Sequence, residues 1–381
     1  MQNQLHLKEN ETLGKRIIIA GGGTGGHIFP ALAIAQALKA KDPDTVLRFV
    51  GAKGKMEMQK IPEAGFEIEA IDIAGFNRSS LIKNFSLPFK LIRSFFQVRD
   101  IVKRFRPDAV VGVGGYSTFP VLRYAESRKI PCFIHESNSF AGKSNMLLAG
   151  KAAKIFVATD GMEKFFPHEK IMVTGNPVRK SIVESRMNKT EAQEFFGLEG
   201  NITTLLVIGG SLGAKSINEA IDAGIPTLIK SGLQVIWQTG RSFAGKAAEK
   251  TSELKGLWVG EFIQRMDYAY AAADMVVSRA GAMSISELCV VGKPVIFVPY
   301  PYAAEDHQTA NAKDLAEKDA GILIRDDEAR SKLVPAILDL QKDQAKRERM
   351  ESNIKKLGIT DADKRIANEI LKSIDEATKT G

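Results

Sequence analysis

Residues 20–35 read AGGGTGGHIFPALAIA: five glycines around a threonine, then a histidine, a proline and an apolar run. Bare backbone ahead of a helix presents N–H groups, and with the helix dipole these form a site for negative charge or polar oxygen atoms. His27 stands beside the turn. Its imidazole titrates near neutral pH and suits a general base, and it equally suits a hydrogen bond that fixes the loop. Gly21, Gly23 and Gly26 formally meet the dinucleotide pattern G-x-G-x-x-G. A nicotinamide site would want an acid at the end of the second strand, where RFVGAKG offers Gly51, Ala52 and Lys53, which argues against that ligand.

Such a turn needs a strand before it and a helix after it. KRIIIA (15–20) reads as an apolar strand, and Pro30 followed by ALAIAQALKA as an amphipathic helix with proline at its first position. TVLRFVG, DAVVGVG, PCFIHE and KIFVAT read as further strands of the same domain. After GNPVR (175–179) the pattern restarts, because ITTLLVIGGSLGA (202–214) repeats strand, glycines, hydroxyl residue and helix. QVIWQTG, GLWVGEF, DMVVSRAG, KPVIFVPYP and AGILIR supply its later strands. The 381 residues exceed what one core supports, so the expected class is α/β with two domains, 1–177 and 178–359. A last helix, about 360–381, is expected to cross back to the first domain, with the ligand held in the cleft between the halves.

Composition narrows the function classes. Hydrophobic residues at 44% and charged residues at 26% are ordinary for a globular protein. MQNQLHLKENETLGK lacks the apolar core of a signal peptide, and no later run reaches bilayer length, which predicts a cytoplasmic protein. Cys132 and Cys289 lie in apolar patterns without metal-ligand spacing and read as buried small hydrophobes. The net charge of +8 is concentrated between Arg78 and Arg106, where eight basic residues face one acid, Asp100. There LIKNFSLPFKLIRSFFQV interleaves cations with bulky apolar side chains. One reading is an anionic bilayer surface, best served by the segment before Pro88; the other puts Leu91, Ile92 and Phe95 in the core with the cations solvated. No nucleic-acid module is recognisable, so nucleic acid is not expected as a partner.

Taken in order, GGGTGGHIFPALAIA, GVGGYSTFP (112–120), HESNSFAGKSN (135–145), GNPVR, GGSLGA, EFI (261–263), SRAGAMSISE (278–287) and DHQTANA (306–312) resemble the motifs of the MurG glycosyltransferases. These bacterial enzymes add N-acetylglucosamine (GlcNAc) to undecaprenyl-pyrophosphoryl-MurNAc-pentapeptide (lipid I), giving lipid II. The resemblance implies the GT-B fold: two Rossmann-like domains with parallel sheets facing a deep cleft. It places the UDP half of the donor on the second domain. Ile263 falls where the family meets uracil through backbone, Arg179 where a cation approaches the nucleotide, and Ser211 where a hydroxyl donates to phosphate. Glu287 falls where a carboxylate takes both ribose hydroxyls, behind a helix start made by Ala282, Met283, Ser284, Ile285 and Ser286; read alone, it is equally a solvated helical acid. Gln308, Asn311 and Asn138 fall where amides hold or border the donor sugar, although Asn311 could serve only helix packing.

For the first domain the resemblance implies that Thr24, Gly25 and Gly26 meet donor sugar or acceptor diphosphate, and that Gly114, Gly115 and Tyr116 form a second turn suited to the lipid diphosphate. The implied reaction is inverting displacement by the muramyl C4 hydroxyl. His27 is the first candidate base and Glu136 the second, though a carboxylate there can instead stabilise the helix that follows. Of the other histidines, His6 and His168 read as solvated, His135 as structural, and His307 as a helix-start or substrate-edge group. The chain departs from the family at Ser137 and Leu212, both habitually glutamine, which puts sugar contact by residue 212 in doubt.

No cofactor is implied. The D-x-D pairs Asp42–Asp44 and Asp361–Asp363 lie in polar connections outside the motifs and read as capping or turn acids, so no metal is expected. UDP-GlcNAc, lipid I, an anionic membrane surface and cell-wall synthesis proteins are the implied partners, at the cytoplasmic face of the membrane. An epimerase acting on UDP-GlcNAc or another glycolipid-forming enzyme would share the UDP half. A nucleotide-binding membrane scaffold would share it without turnover.

Overall fold

A computed structural model of the protein describes residues 14–75, 87–210, 212–249, 254–303 and 306–380. Runs of Val, Ile and Leu without polar alternation are what strands buried on both faces require. The first sheet holds β1 (Arg16–Ala20), β2 (Val46–Ala52), β3 (Ile68–Ile71), β4 (Ala109–Gly112), β5 (Cys132–Glu136), β6 (Lys154–Val157) and β7 (Ile171–Val173). Its order is β3-β2-β1-β4-β5-β6-β7. The second sheet holds β8 (Thr204–Ile208), β9 (Gln234–Gln238), β10 (Leu257–Gly260), β11 (Met275–Ser278), β12 (Val295–Phe297) and β13 (Ile322–Leu323), in the order β10-β9-β8-β11-β12-β13. Every pairing is parallel. Both sheets thus run outward in opposite directions from their first strand, and ligands of such sheets lie where the order reverses. The expected α/β class with two Rossmann-like sheets holds. The sequence reading passed over β3 and β7, the two edge strands of the first sheet. Both are short and partly exposed, so neither carries the unbroken apolar run of a central strand.

Five helices of the first lobe matter for the site: α1 (Gly25–Lys41), α2 (Glu57–Glu63), α3 (Leu87–Phe105), α4 (Thr118–Ser127) and α5 (Lys143–Ala149). α1 begins at Gly25, so Pro30 is its sixth residue and not its first. The Thr24 carbonyl accepts from the amides of His27 and Ile28, closing a first turn ahead of the proline. Pro30 then lacks only the donor that would have met the Gly26 carbonyl, where no side chain adds to the crowding. α3 buries Ser94, Val98, Ile101, Val102 and Phe105. Of the three residues expected in the core, Ile92 instead points outward, 57% exposed, with Phe89 at 77% and Phe96 at 59%. Helical spacing explains this: the buried stripe runs through 94, 98, 101, 102 and 105, and Ile92, two positions before Ser94, falls on the opposite side. The segment before Pro88, residues 78–86, lies outside the described residues. Among the described residues no helix is long and apolar enough to cross a membrane.

The last helix, Ala362–Thr380, returns to the first lobe. Ile366, Ala367, Ile370, Leu371 and Ile374 repeat at helical spacing and are buried in one cluster with Ile34 and Leu38 of α1. Arg365 Nη2 donates to the Val173 carbonyl at 2.8 Å, and Lys15 pairs with Asp375 at 3.1 Å. The second lobe is therefore held at both ends, by the 174–179 connection and by this returning helix. Ile370→Ala is expected to lower the unfolding free energy by about 2–5 kcal/mol in a urea titration. A loss below about 0.5 kcal/mol, typical of a surface change, would place the helix outside the core.

Candidate active site

In the first lobe the turn after β1 meets the turn after β4. Gly22 N–H donates to the Gly114 carbonyl at 3.2 Å, and a Cβ on Gly115 (φ +90°) would lie 2.4 Å from the Gly22 carbonyl oxygen. Two main chains in contact leave no room for a side chain between them. His27 lies across this junction, with Nδ1 3.0 Å from the Gly22 carbonyl oxygen and Nε2 against Gly114. Donation from Nδ1 to that carbonyl assigns the tautomer and leaves Nε2 as the acceptor. Burial pushes the His27 pKa below its ordinary 6.5, against the raising pull of the Gly22 carbonyl, Glu136 and Glu57, so the ring is neutral at neutral pH. Thr24, exposed and extended at the N-cap, makes no side-chain cap bond. The amides of Gly25 and Gly26 open the helix, where N–H groups have no acceptor within it. Tyr116 is 51% exposed, with its ring against Gly75.

Two buried carboxylates hold these loops. Glu57, fully buried on α2, accepts from Gly23 N–H at 2.8 Å and from Ala52 N–H at 3.0 Å. The amide that a bound phosphate would seek at Gly23 therefore already has an internal anion. Glu136 accepts from the Asn138 amide and side chain at 3.1 and 3.2 Å, and from Gly142 N–H and Asn145 Nδ2 at 2.9 Å each. With four donors on its two oxygens, Glu136 is placed to fix the loop ahead of α5 and poorly placed to take a substrate proton. His135 is fully buried and held neutral, its pKa pushed down to about 3 by burial first and by the nearby His27 ring, which would repel a second cation, next.

In the second lobe Gly281 caps the helix Ala282–Val291, in whose first turns Met283 is buried and Ala282, Ser284 and Ile285 are half-buried. Five residues into that helix, Glu287 is buried. Its Oε1 accepts from Arg179 Nε and Nη2, each at 2.8 Å, and its Oε2 from the Tyr270 hydroxyl at 3.1 Å. The Ile263 amide donates to Gln238 Oε1 at 2.9 Å, and Gln308 Oε1 accepts from Tyr300 N–H at 3.0 Å. Ser211 lies outside the described residues. Among the described residues no group of three or more His, Cys, Asp or Glu side chains is placed to hold a metal ion.

Among the described residues, contacts of Asn176, Ser139, Lys60 and Arg179 join the lobes. Asn176 Nδ2 donates to the Ser137 carbonyl at 3.0 Å and to Ser286 Oγ at 3.1 Å. Ser139 Oγ donates to Asn311 Oδ1 at 3.0 Å. Lys60 lies 5.7 Å from the Phe262 ring centroid, and the Arg179 guanidinium 4.5 Å from that of Phe29.

Two family models fit a chain with this double site: the N-terminal domain of glycosyltransferase family 28 over residues 17–157 and its C-terminal domain over 204–366. The chain belongs to glycosyltransferase family 28. A relative from Parabacteroides distasonis, named UDP-N-acetylglucosamine–N-acetylmuramyl-(pentapeptide) pyrophosphoryl-undecaprenol N-acetylglucosamine transferase, is 49% identical over 95% of this chain and 99% of its own length. The crystal structure of MurG from Acinetobacter baumannii is similar at TM-score 0.71 and 27% identity, covering 94% of this chain and 99% of that one. A UDP-GlcNAc 2-epimerase from Neisseria meningitidis, bound to UDP-GlcNAc, has TM-score 0.68 at 15% identity over 94% and 100% of the two chains, a likeness of fold alone.

Within this family 28 chain, sequence reasoning passed over Glu57, Gln238 and Tyr270. An isolated acid shortly after a β2 end without one was the available signal for Glu57. Nothing local marks Gln238 or Tyr270, whose partners lie 25 and 17 residues away. The two depressed histidines carry a stability consequence. Below pH 6.5 an unfolded chain protonates them while the native chain does not, so the unfolded state binds more protons and stability falls as pH drops from 6.5 toward 3. Each contributes up to about 1.4 kcal/mol per pH unit. Urea unfolding between pH 7 and 4 is expected to show this slope, and His135→Phe to flatten it by one proton; an unchanged slope in the variant would contradict a neutral buried His135.

Proposed function

We propose that the protein is an inverting N-acetylglucosaminyltransferase that moves GlcNAc from UDP-GlcNAc to the C4 hydroxyl of the MurNAc of lipid I, forming lipid II. The observations that carry the reading are a neutral imidazole on the glycine junction of one lobe and an arginine–carboxylate pair on the other, with the arginine stacked on Phe29 of the helix that bears the imidazole. The relatives' names support the substrates. In this reading the lobes are 1–177, with the returning helix, and 178–359. Glu287 takes the ribose hydroxyls: with three donors already on its oxygens, a carboxylate with about four acceptor positions keeps one free on the Oε2 side. The second hydroxyl then requires Tyr270 or Arg179 to yield.

The muramyl hydroxyl oxygen forms its bond to the anomeric carbon as the bond from that carbon to the UDP phosphate oxygen breaks, through an oxocarbenium-like state. The electron pair leaves with UDP, and the hydroxyl proton passes to His27 Nε2. Arg179, Ser211 and the helix start Ala282–Ser284 stabilise the negative charge that develops on the diphosphate. Asn138 and Gln308 border the sugar, Ile263 borders the uracil, and Thr24, Gly25, Gly26, Gly114, Gly115 and Tyr116 receive the acceptor. Glu136 acts by holding its loop.

The exposed Phe89, Ile92 and Phe96, with Lys90, Arg99 and Lys103 on the same helix, fit an anionic membrane surface on the acceptor lobe at the cytoplasmic face. Cell-wall synthesis proteins are compatible partners there.

Purified protein incubated with UDP-[14C]GlcNAc and a short-chain lipid I analogue is expected to move label to the lipid. Formation of UDP-ManNAc would indicate an epimerase, and absence of turnover a binding scaffold. His27→Ala should lower turnover by about two to four powers of ten. The acid limb of kcat/KM should fall below pH 6.5, the direction of the His27 shift. A loss of tenfold or less, or a limb centred near pH 7, would leave His27 a loop-fixing role only.

A further inference from the structure

We propose that Phe29 is a positioning residue that couples the donor pocket to the acceptor turn through its stack on Arg179. The inference rests on the donor and acceptor assignments above. Arg179 is held on two sides by different lobes. Its Nε and Nη2 edge is on Glu287 of the second lobe at 2.8 Å, and its face is 4.5 Å from the Phe29 ring centroid on α1 of the first. Phe29 in turn folds back over the start of its own helix, as helical side chains do, so that a Cβ on Gly25 would lie 3.0 Å from its Cε2. One ring therefore touches both the acceptor turn and the cation that holds the donor carboxylate. His27, two residues earlier, projects from another side of the same helical turn onto the Gly22–Gly114 junction, so the backbone of that turn is what the two side chains share.

The chemistry of the stack suits transmission between moving bodies. A guanidinium over an aromatic face is held by charge and dispersion without a fixed hydrogen-bond direction, so it can slide while staying in contact. Beside it is a cavity of about 1080 Å³ whose lining includes Phe29 and Arg179 together with Gln36, Lys180, Asp267 and Asn368, which leaves the guanidinium space to move. When ribose hydroxyls draw on Glu287, the edge that holds Arg179 loosens. The face contact then changes, and with it the first turn of α1. Two sites are coupled where one element interacts differently with each occupied state, and here that element is the Arg179–Phe29 stack.

The test follows the imidazole signal of His27 by NMR in histidine-labelled protein, with the resonance identified by its loss in His27→Asn. Phe29→Leu keeps apolar bulk without the π-face, and Phe29→Tyr restores the face. UDP is expected to shift the His27 signal in the parent protein and in Phe29→Tyr. In Phe29→Leu, UDP affinity should stay within about threefold of the parent, the His27 signal should stay near its UDP-free position, and kcat for transfer should fall about fivefold to thirtyfold with the KM for UDP-GlcNAc little changed. An equal UDP-induced shift in Phe29→Leu, or an unaltered kcat, would overturn the coupling. Parent protein that binds UDP and transfers no label would overturn the transferase reading while the NMR comparison still decides the coupling, and parent protein that binds no UDP would overturn both.

Discussion

The contact between the main chains of the β1 and β4 turns is the constraint on which the first-lobe half of the site depends. Gly22 and Gly115 meet without side chains, and that closeness sets the height at which His27 lies across Gly114. Any Cβ there would force the turns apart, since a contact of 2.4 Å to a carbonyl oxygen cannot be relieved by rotating a side chain. A displaced turn would carry the start of α1 with it. The imidazole, the free amides of the helix start and the second glycine turn are therefore one rigid unit placed at the reversal point of the sheet.

Three buried carboxylates do different work in this molecule, and their donors tell them apart. Glu57 accepts only backbone N–H groups and closes the glycine turn from below. Glu136 accepts a mixture of amides and closes the loop before α5. Glu287 has a cation and a phenol, partners that can reorganise, and it is buried in the second lobe. A carboxylate tied to backbone cannot yield without unfolding a loop, whereas one paired to side chains can exchange partners. That difference in donors makes Glu287 the adaptable member of the three.

The contacts between the lobes are of mixed kind. Asn176 bridges Ser137 and Ser286 directly, while the Lys60–Phe262 and Arg179–Phe29 contacts place a cation near an aromatic ring. Hydrogen bonds fix a direction, whereas a cation over a ring is held without one. The helix Ala362–Thr380, buried on α1, ties the end of the chain back to the first lobe.

Much of this was legible along the chain. The central strands are apolar runs, the glycine turns follow them, and the restart after GNPVR marks the second lobe, because buried parallel strands and exposed backbone each impose a composition that needs no knowledge of neighbours. His27 could be singled out as the ionisable residue beside the first glycine turn, whereas Arg179 and Glu287 were singled out by the resemblance to the MurG motifs. The edge strands β3 and β7, the early start of α1 and the outward turn of Ile92 were not legible, since each depends on what packs alongside. Nor was the division of labour among the acids: Glu57 and Glu136 differ from Glu287 only in the donors that tertiary folding brings to them. The sequence by itself determined the central strands, the glycine turns that follow them and the residue types at those turns. Only the tertiary structure decided which oxygen meets which donor, because hydrogen-bond partners 17 to 108 residues apart are set by how sheets and helices stack.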